Sequence, residues 1–257
     1  MFKQNNARGI QLHPDTIQVF LLMFADDLAL MADTVGELQR QLNLLSDFCQ
    51  NYKLKVNESK TKVVVFKNGG VLARHESWTY RNAKLEVVKK FCYLDLLFTR
   101  QMSENAMVHE ICVEGKRILN AMLKSLYNCG QLSKSVFLKL FDVKVTPILM
   151  YGSEILNIDN FLELERAQYY ACKRFMCAKQ NASNCAVLGD CGRFPMYIES
   201  TRRTIKYWLK ILKMPQTRFV RKCYDMMLND DLNGHKNWVT SVKVCLQICM
   251  AKPNCYI

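Results

Sequence analysis

The chain has 257 residues, half of them hydrophobic, which is enough apolar material for a buried core and excludes disorder as the default state. Only 5 prolines and 10 glycines are present, which favours a helix-rich chain over a turn-rich sandwich or propeller. The formal net charge of +13 points to a polyanionic partner, and a basic protein without such a partner is the plain alternative.

The opening residues and the cysteines bear on location. Residues 1–8 are polar and lack the apolar centre of a signal peptide, and no apolar run approaches the roughly 18 residues of a membrane span. We therefore expect an intracellular chain, nuclear or cytoplasmic, that is neither secreted nor bound to a membrane. The 12 scattered cysteines are then expected to be reduced thiols.

The first hundred residues have the pattern of a mixed α and β unit. Residues 17–24 are predicted to form a buried strand, and residues 28–31 a returning strand, with Asp26 and Asp27 at the tip of the hairpin. Thr34 is predicted to cap the helix that follows, since glutamate stands three residues later. The apolar face of this helix carries Val35, Leu38, Leu42, Leu45 and Cys49.

The remainder of this unit is predicted to consist of strands and turns. Residues 62–66 have the composition of a strand, and residues 68–70 that of a turn. A short hairpin is predicted from residues 91–94 and 96–99.

After about residue 100 the periodicity becomes helical. Ser103 is predicted to cap a helix closed by Gly130, and Ser133 to cap a second one that ends near Pro147. Asp159 is predicted to begin a third helix.

The last segment begins with a predicted loop at residues 181–195. A basic helix over residues 198–212 follows, and the remainder is predicted to be helical.

Two adjacent aspartates are an unusual choice at a hairpin tip, because their carboxylates repel and aspartate favours strands poorly. A divalent cation would compensate for this repulsion. Mg²⁺ prefers oxygen ligands and is commonly held by one or two carboxylates together with substrate phosphates. The alternative is a solvated acidic turn without a metal.

The context of this pair resembles the reverse transcriptases of LINE-type (non-LTR) retrotransposons. Phe24-Ala25-Asp26-Asp27 is similar to the [FY]-x-D-D of their palm motif C, with a lead-in at residues 9–12. Residues 54–62, Leu-Lys-Val-Asn-Glu-Ser-Lys-Thr-Lys, resemble motif D, and residues 91–99 resemble motif E. Residues 116–154 and 188–195 resemble the thumb and post-thumb region of the family.

The resemblance implies RNA-directed DNA synthesis, in which a primer 3′-hydroxyl is extended on an RNA template. Asp26 would be the principal ligand of Mg²⁺ or Mn²⁺, and Asp27 would support the metals or the primer end. Phe24 and Ala25 would line the turn near the nucleotide.

A positive charge near the incoming triphosphate is also implied, from Lys60 or Lys62. Such a charge would offset the negative charge that develops on the leaving pyrophosphate. The alternative is that both lysines belong to a solvated surface.

The chain departs from the family pattern in two places. A third carboxylate, from motif A, belongs well upstream of motif C, but Asp15 is the only acid before Asp26 and opens the motif C strand region. Motif E usually has Tyr-Leu-Gly, whereas Asp95 follows Leu94 here. We therefore expect a truncated element that cannot polymerise DNA alone; whether a longer product or a partner chain supplies motif A stays open.

The carboxyl-terminal basic helix is the candidate for nucleic-acid binding. Its cations are suited to sequence-independent contact with phosphates; they are Arg202, Arg203, Lys206, Lys210 and Lys213. The opposite, core-seeking face is predicted to carry Ile205, Trp208, Leu209 and Leu212. An ordinary amphipathic helix with solvated lysines is the alternative.

A zinc site is disfavoured by the cysteine spacing. Cys185 and Cys191, and the series Cys245, Cys249 and Cys255, lack the paired spacing of structural zinc sites, so free thiols are preferred.

The predicted fold class is α+β: a partial reverse-transcriptase palm over residues 1–100, a helical thumb-like region over 101–180 and a basic helical region over 181–257. The predicted function is that of a reverse-transcriptase fragment. Its rivals are a non-catalytic nucleic-acid-binding remnant and an unfolded product whose exposed strand edges favour aggregation.

Overall fold

A computed structural model describes residues 8–13, 17–71, 73, 75–128, 133–156 and 161–251. The chain divides into two compact units, Met1–Met102 and Ser103–Ile257. The first unit combines short strands with a helix, and the described part of the second is helical, so the predicted α+β class is confirmed. The further boundary at residue 180 stays a prediction.

The described secondary structure of the first unit is one long helix among short strands. The elements are β1 (Ile10–His13), β2 (Ile17–Val19), β3 (Leu21–Phe24), β4 (Asp27–Leu30), α1 (Val35–Asn51), β5 (Lys62–Val64), β6 (Thr79–Tyr80), β7 (Ala83–Lys84), β8 (Glu86–Val88), β9 (Lys90–Tyr93) and β10 (Leu96–Thr99). Strand pairing is antiparallel for β1–β2, β3–β4, β6–β7 and β9–β10, and parallel for β5–β8.

The predicted strand over residues 17–24 is interrupted at Phe20, so that β2 pairs with β1 and β3 pairs with β4. The apolar run is continuous in sequence, but its two halves have different partners. The strand predicted over residues 62–66 is also shorter and ends at Val64.

Helix α1 organises the core of the first unit. As predicted, Thr34 is its N-cap, and the Thr34 side chain accepts a hydrogen bond from the Glu37 backbone nitrogen at 3.2 Å. The helix packs its apolar face on strand and loop residues, and the indole nitrogen of Trp78 donates to the Val35 carbonyl oxygen at 3.0 Å. The buried cluster contains Leu42, Leu45, Cys49, Val63, Trp78, Tyr80 and Leu85.

The described elements of the second unit are helices. They are α2 (Glu104–Asn128), α3 (Lys134–Lys144), α4 (Thr146–Leu149), α5 (Phe161–Phe175), α6 (Asn184–Cys191), α7 (Met196–Leu212), α8 (Phe219–Leu232) and α9 (Trp238–Ala251). The predicted N-cap of α3 is confirmed, because the Ser133 hydroxyl accepts from the Val136 nitrogen at 3.4 Å. Gly130, Asp159 and Asp15, named in the predictions above, lie outside the described residues.

The prediction of a loop over residues 181–195 is partly wrong, because this segment contains α6. This short helix buries Val187, Leu188 and Cys191 against Cys172 of α5. Gly192 ends it in the left-handed conformation with φ of 65°, which glycine adopts without strain. Packing on α5 stabilises a helix that local propensity alone does not predict.

The described helices include none that is long and apolar enough to cross a membrane. The cysteines that the structure describes are free thiols.

Candidate active site and nucleic-acid interface

The two aspartates lie at a tight turn between β3 and β4. Phe24 pairs with Asp27 across the strands, which leaves Ala25 and Asp26 as the two turn residues, while Asp27 begins β4. Ala25 has φ of 52°, whereas Asp26 keeps a negative φ. This is the pattern of a type II′ turn, in which glycine normally occupies the first position. The alanine therefore stores backbone strain beside the carboxylates.

The hairpin tip is open to solvent. Met23 and Phe24 are 68% and 63% exposed, and Ala25, Asp26 and Asp27 are exposed as well. The prediction of a buried strand is therefore wrong for β3. An apolar run identifies a strand, but it does not identify what covers the strand, and here the described residues leave it uncovered.

The base of the hairpin is held from within the first unit. Gln41 of α1 is fully buried, and its amide nitrogen donates to the carbonyl oxygens of Arg8 and Met31, each at 2.9 Å. The Met31 nitrogen in turn donates to the Phe20 oxygen at 2.9 Å. The aspartates therefore project from a fixed base.

The aspartates present hard oxygen atoms to solvent. Among the described residues, no hydrogen bond or ion pair engages the side chain of Asp26 or Asp27. The described residues also contain no group of three or more histidine, cysteine, aspartate and glutamate side chains that could hold a metal ion. Two exposed carboxylates suit a cation that keeps several waters and binds substrate phosphates, but they do not form a closed cage.

The two candidate lysines differ in their surroundings. Lys60 is exposed in a turn that Asn57 organises, because the Asn57 side-chain oxygen accepts from the Lys60 nitrogen at 3.2 Å. The Lys62 ammonium pairs with Glu86 at 2.7 Å across the β5–β8 pair. Within the described residues, no hydrogen bond or ion pair joins either lysine to Asp26. Of the two lysines, Lys60 is therefore the one whose ammonium group has no ion-pair partner among the described residues.

The hairpin of β9 and β10 forms where the sequence predicted it. Leu94 and Asp95 are its two turn residues, with φ of 49° and 60°. Two positive φ values define a type I′ turn, for which Asn-Gly is the usual sequence. The aspartate that replaces the expected glycine therefore keeps the tight turn at the cost of backbone strain.

In the second unit, the predicted cations of α7 line one open cleft. Glu154 and residues of α7 form its wall. The lining residues are Glu154, Arg202, Arg203, Lys206, Tyr207, Leu209, Lys210 and Lys213.

The two arginines of this cleft are engaged by Glu199 of the preceding turn. Arg202 forms a two-point contact with the Glu199 carboxylate at 2.7 and 2.8 Å, and Arg203 Nε donates to the same carboxylate at 2.9 Å. Hydrogen bonds from Arg202 and then Arg203 lower the pKa of Glu199 to about 2. The three lysines Lys206, Lys210 and Lys213 are exposed.

The core-facing side of α7 differs from the prediction. Leu209 and Leu212 are 46% and 37% exposed, while Thr201, Thr204 and Ile211 are buried. Thr204 can face the interior because its hydroxyl donates to the Ser153 carbonyl oxygen at 3.4 Å, a contact that helical periodicity does not reveal.

Trp208 packs within the protein. Its indole nitrogen donates to the Tyr224 hydroxyl at 3.1 Å, and its ring packs on the cluster around Ile211 and Val239. Trp208 is therefore partly buried, with its indole N–H engaged inside the second unit.

Residues that the sequence pattern missed fix the start of α7. Arg193 pairs with Asp142 at 2.8 Å and donates to the buried Gln168 at 3.1 Å. Gln168 donates to the Phe194 carbonyl oxygen at 3.0 Å, and Glu165 accepts from the Tyr197 nitrogen at 2.9 Å. The motif predicted over residues 188–195 was the available signal, but it did not identify the partners on α3 and α5.

Comparison with known proteins agrees with the character of the first unit. Residues 2–102 match the family model described as reverse transcriptase (RNA-dependent DNA polymerase), and this span coincides with the first compact unit. The predicted resemblance to reverse transcriptases is thus confirmed for these residues. Searches of curated proteins and of solved structures found no match.

Proposed function

We propose that the chain is part of the RNA-directed DNA polymerase of a LINE-type (non-LTR) retrotransposon. The observation that carries the proposal is the exposed Asp26-Asp27 pair at a tight hairpin within the segment that matches reverse transcriptases. The substrates would be an RNA template, a DNA primer and deoxynucleoside triphosphates. The reaction class would be nucleotidyl transfer to the primer 3′-hydroxyl.

Each residue near the hairpin would have a distinct role. Asp26 and Asp27 would hold Mg²⁺ or Mn²⁺, which in such sites stabilises the attacking and leaving oxygens of phosphoryl transfer. Phe24 and Ala25 would shape the turn beside the nucleotide. Lys60 is preferred over Lys62 near the triphosphate, because Glu86 already pairs with the Lys62 ammonium.

We propose further that this chain alone does not extend a primer. The family uses a third carboxylate, and Asp15 is the only acid among residues 1–25. Two exposed carboxylates leave their metals poorly fixed, and most of the catalytic advantage depends on fixed positions. A motif A segment from a longer product or a second chain would complete the site.

The test is primer extension on an RNA template with Mg²⁺, comparing the chain with an Asp26→Asn/Asp27→Asn variant. Because both side chains are exposed and have no partner among the described residues, we expect the variant to melt at the same temperature as the original chain. We expect neither protein to extend the primer. Extension by the original chain but not by the variant would overturn the proposed inactivity and support the family reaction. Extension by both proteins would mean that Asp26 and Asp27 take no part in the reaction.

Non-catalytic nucleic-acid binding is the second candidate, and the basic cleft on α7 favours it. Five cationic side chains line this cleft against one carboxylate, that of Glu154. Phosphate neutralisation by such a surface gives binding that is independent of sequence and steeply dependent on salt. Binding unaffected by Asp26→Asn/Asp27→Asn would support this function, and absence of binding at low salt would refute it.

A further inference from the structure

The cations of α7 fall into two groups according to their partners. Arg202 and Arg203 both bind the Glu199 carboxylate, and Arg203 also donates to the Met150 carbonyl oxygen at 3.3 Å. Two arginines and one glutamate together have a single net positive charge. The Arg203 guanidinium group is held by two acceptors, the Glu199 carboxylate and the Met150 carbonyl oxygen.

The second group is a row of lysines farther along the same helix face. Lys206, Lys210 and Lys213 are exposed, and none of them has a hydrogen bond or ion pair to the part of the chain that the structure describes. Their spacing of four and three residues places them on one side of the helix. They extend over about 10 Å at 1.5 Å per residue.

This length fits a phosphate backbone. Phosphates of one strand recur roughly every 3.4 Å along a duplex, so a row of about 10 Å accommodates up to three of them. Glu154 lies at the cleft wall, and Glu199 lies about two turns before Lys206 on the same helix. Lys206 is seven residues from Glu199, which places it beyond direct pairing with that carboxylate.

An anionic membrane surface fits the same helix less well. Membrane-surface helices insert a continuous apolar face into the lipid. Here Thr201, Thr204 and Ile211 are buried inside the protein. The exposed apolar residues among the lysines are Leu209 and Leu212, which do not form a continuous apolar face. The observations therefore favour nucleic acid.

We propose that Lys206, Lys210 and Lys213 form a phosphate-binding row for the nucleic-acid backbone, and that Glu199 withholds Arg202 and Arg203 from it. This proposal rests on the nucleic-acid-binding function proposed above and specifies which side chains perform it. Glu199 thereby limits the affinity of the helix. Removing its charge should release two further cations onto the same face.

The experiment measures binding of the full chain to a fluorescently labelled double-stranded oligonucleotide across a series of KCl concentrations. Three phosphate contacts predict a slope of log K against log salt of about −2.7, from about −0.9 for each contact. Replacing all three lysines with glutamine should bring the slope close to zero. Arg202→Gln should leave the slope unchanged, and Glu199→Gln should steepen it by up to about 1.8.

A matched control separates the row from overall charge. Replacing the exposed Lys84, Lys124 and Lys144 with glutamine removes the same net charge from scattered positions, and we expect the original slope to remain. Thermal melting of each variant checks that the fold is retained.

The outcomes distinguish the two proposals. If the original chain does not bind the oligonucleotide at low salt, both the proposed nucleic-acid-binding function and the proposed phosphate-binding row are wrong. If it binds but the triple-lysine variant binds with the same slope, nucleic-acid binding is supported and the proposed phosphate-binding row is wrong. If Arg202→Gln made the slope shallower by as much as the loss of one lysine contact, the proposed role of Glu199 would be overturned. Stronger binding to phosphatidylserine vesicles than to the oligonucleotide would overturn nucleic acid as the partner.

Discussion

Glu165 of α5 caps the first turn of α7, since its Oε1 atom accepts a hydrogen bond from the backbone nitrogen of Tyr197 at 2.9 Å. No side chain at the N-cap position of α7, which is Pro195, performs this role. The helix that carries the basic row therefore depends on a carboxylate from a different helix. The helix dipole and the unpaired N–H groups of the first turn favour a negative group there.

Removing this cap should destabilise the second unit. Glu165 is 6% exposed, so Glu165→Ala loses the hydrogen bond and leaves a small cavity. We expect the free energy of unfolding to fall by about 1–2 kcal/mol. Glu165→Gln keeps an acceptor oxygen and should retain most of the stability at neutral pH. Equal denaturation midpoints for the alanine variant and the original chain would contradict the capping role.

The same residue predicts a pH dependence. Burial raises the pKa of Glu165 above its ordinary value of 4.5, although the N–H groups of Tyr197 and Met196 oppose the shift. A raised pKa in the folded state means that the stabilising contribution is present below the ordinary value and is lost as the pH rises through the folded value. The stability of the original chain relative to Glu165→Gln should therefore decrease as the pH rises from 4.5 towards neutrality. Chemical denaturation of both proteins across this range measures it, and a constant difference would contradict the shift.

Arg193 gives a second prediction for the start of α7. Its guanidinium group lies 4.8 Å from the centre of the Phe141 ring and donates to Gln168, in addition to its pair with Asp142. Because the Asp142 side chain is 53% exposed, solvent screens that pair, and most of the loss should come from the ring and from Gln168.

Arg193→Lys should lower the free energy of unfolding by about 2 kcal/mol, since an ammonium group cannot reproduce the planar contacts. Arg117→Lys is the matched control, because Arg117 forms an exposed pair with Glu114 within one helix and should show no measurable change. Urea denaturation of both variants and the original chain measures these changes in the free energy of unfolding. A smaller effect at Arg193 than at Arg117 would contradict the anchoring role.

The features that could be predicted from sequence depend on neighbours within a few residues. The caps at Thr34 and Ser133 are of this kind, because a hydroxyl reaches a backbone nitrogen two or three positions ahead. The turn at Ala25 and Asp26 and the extent of α7 also follow from local pattern. The Asp26-Asp27 pair was recognisable for the same reason.

The features that escaped prediction depend on long-range partners. Gln41 is a polar residue in a core position because it binds carbonyl groups of two separate segments. Helix α6 exists because α5 covers its apolar side. Leu209 is exposed because Thr204, which donates to the distant Ser153 carbonyl oxygen, occupies the interior. The pairing of Arg202 and Arg203 with Glu199 lay within reach of sequence reasoning, since the residues are three and four positions apart.

Two glycines of the first unit should respond in opposite ways to alanine. A Cβ atom at Gly9 would lie 2.2 Å from the Val19 carbonyl oxygen, whereas a Cβ at Gly36 would meet nothing within 4 Å. Gly9→Ala should therefore destabilise the unit by about 2 kcal/mol through backbone displacement at β1 and β2. Gly36→Ala, in the first turn of α1, should stabilise it by up to about 1 kcal/mol. Thermal melts that rank the two variants in the reverse order would contradict the close approach at Gly9.

The cysteines should react in two classes. Burial raises the pKa of Cys112 and Cys172 to about 12 and that of Cys245 to about 11, which suppresses the reactive thiolate. Cys92 and Cys177 are exposed.

Iodoacetamide at pH 8, followed by mass spectrometry, should therefore modify Cys92 and Cys177 in the native chain while leaving Cys112, Cys172 and Cys245 unmodified. Unfolding in urea should expose all five to modification, because the protection comes from packing. Rapid labelling of Cys112 or Cys172 without urea would mean that the helical unit opens far more readily than its buried core implies, and the anchoring of α7 by α5 would then need revision.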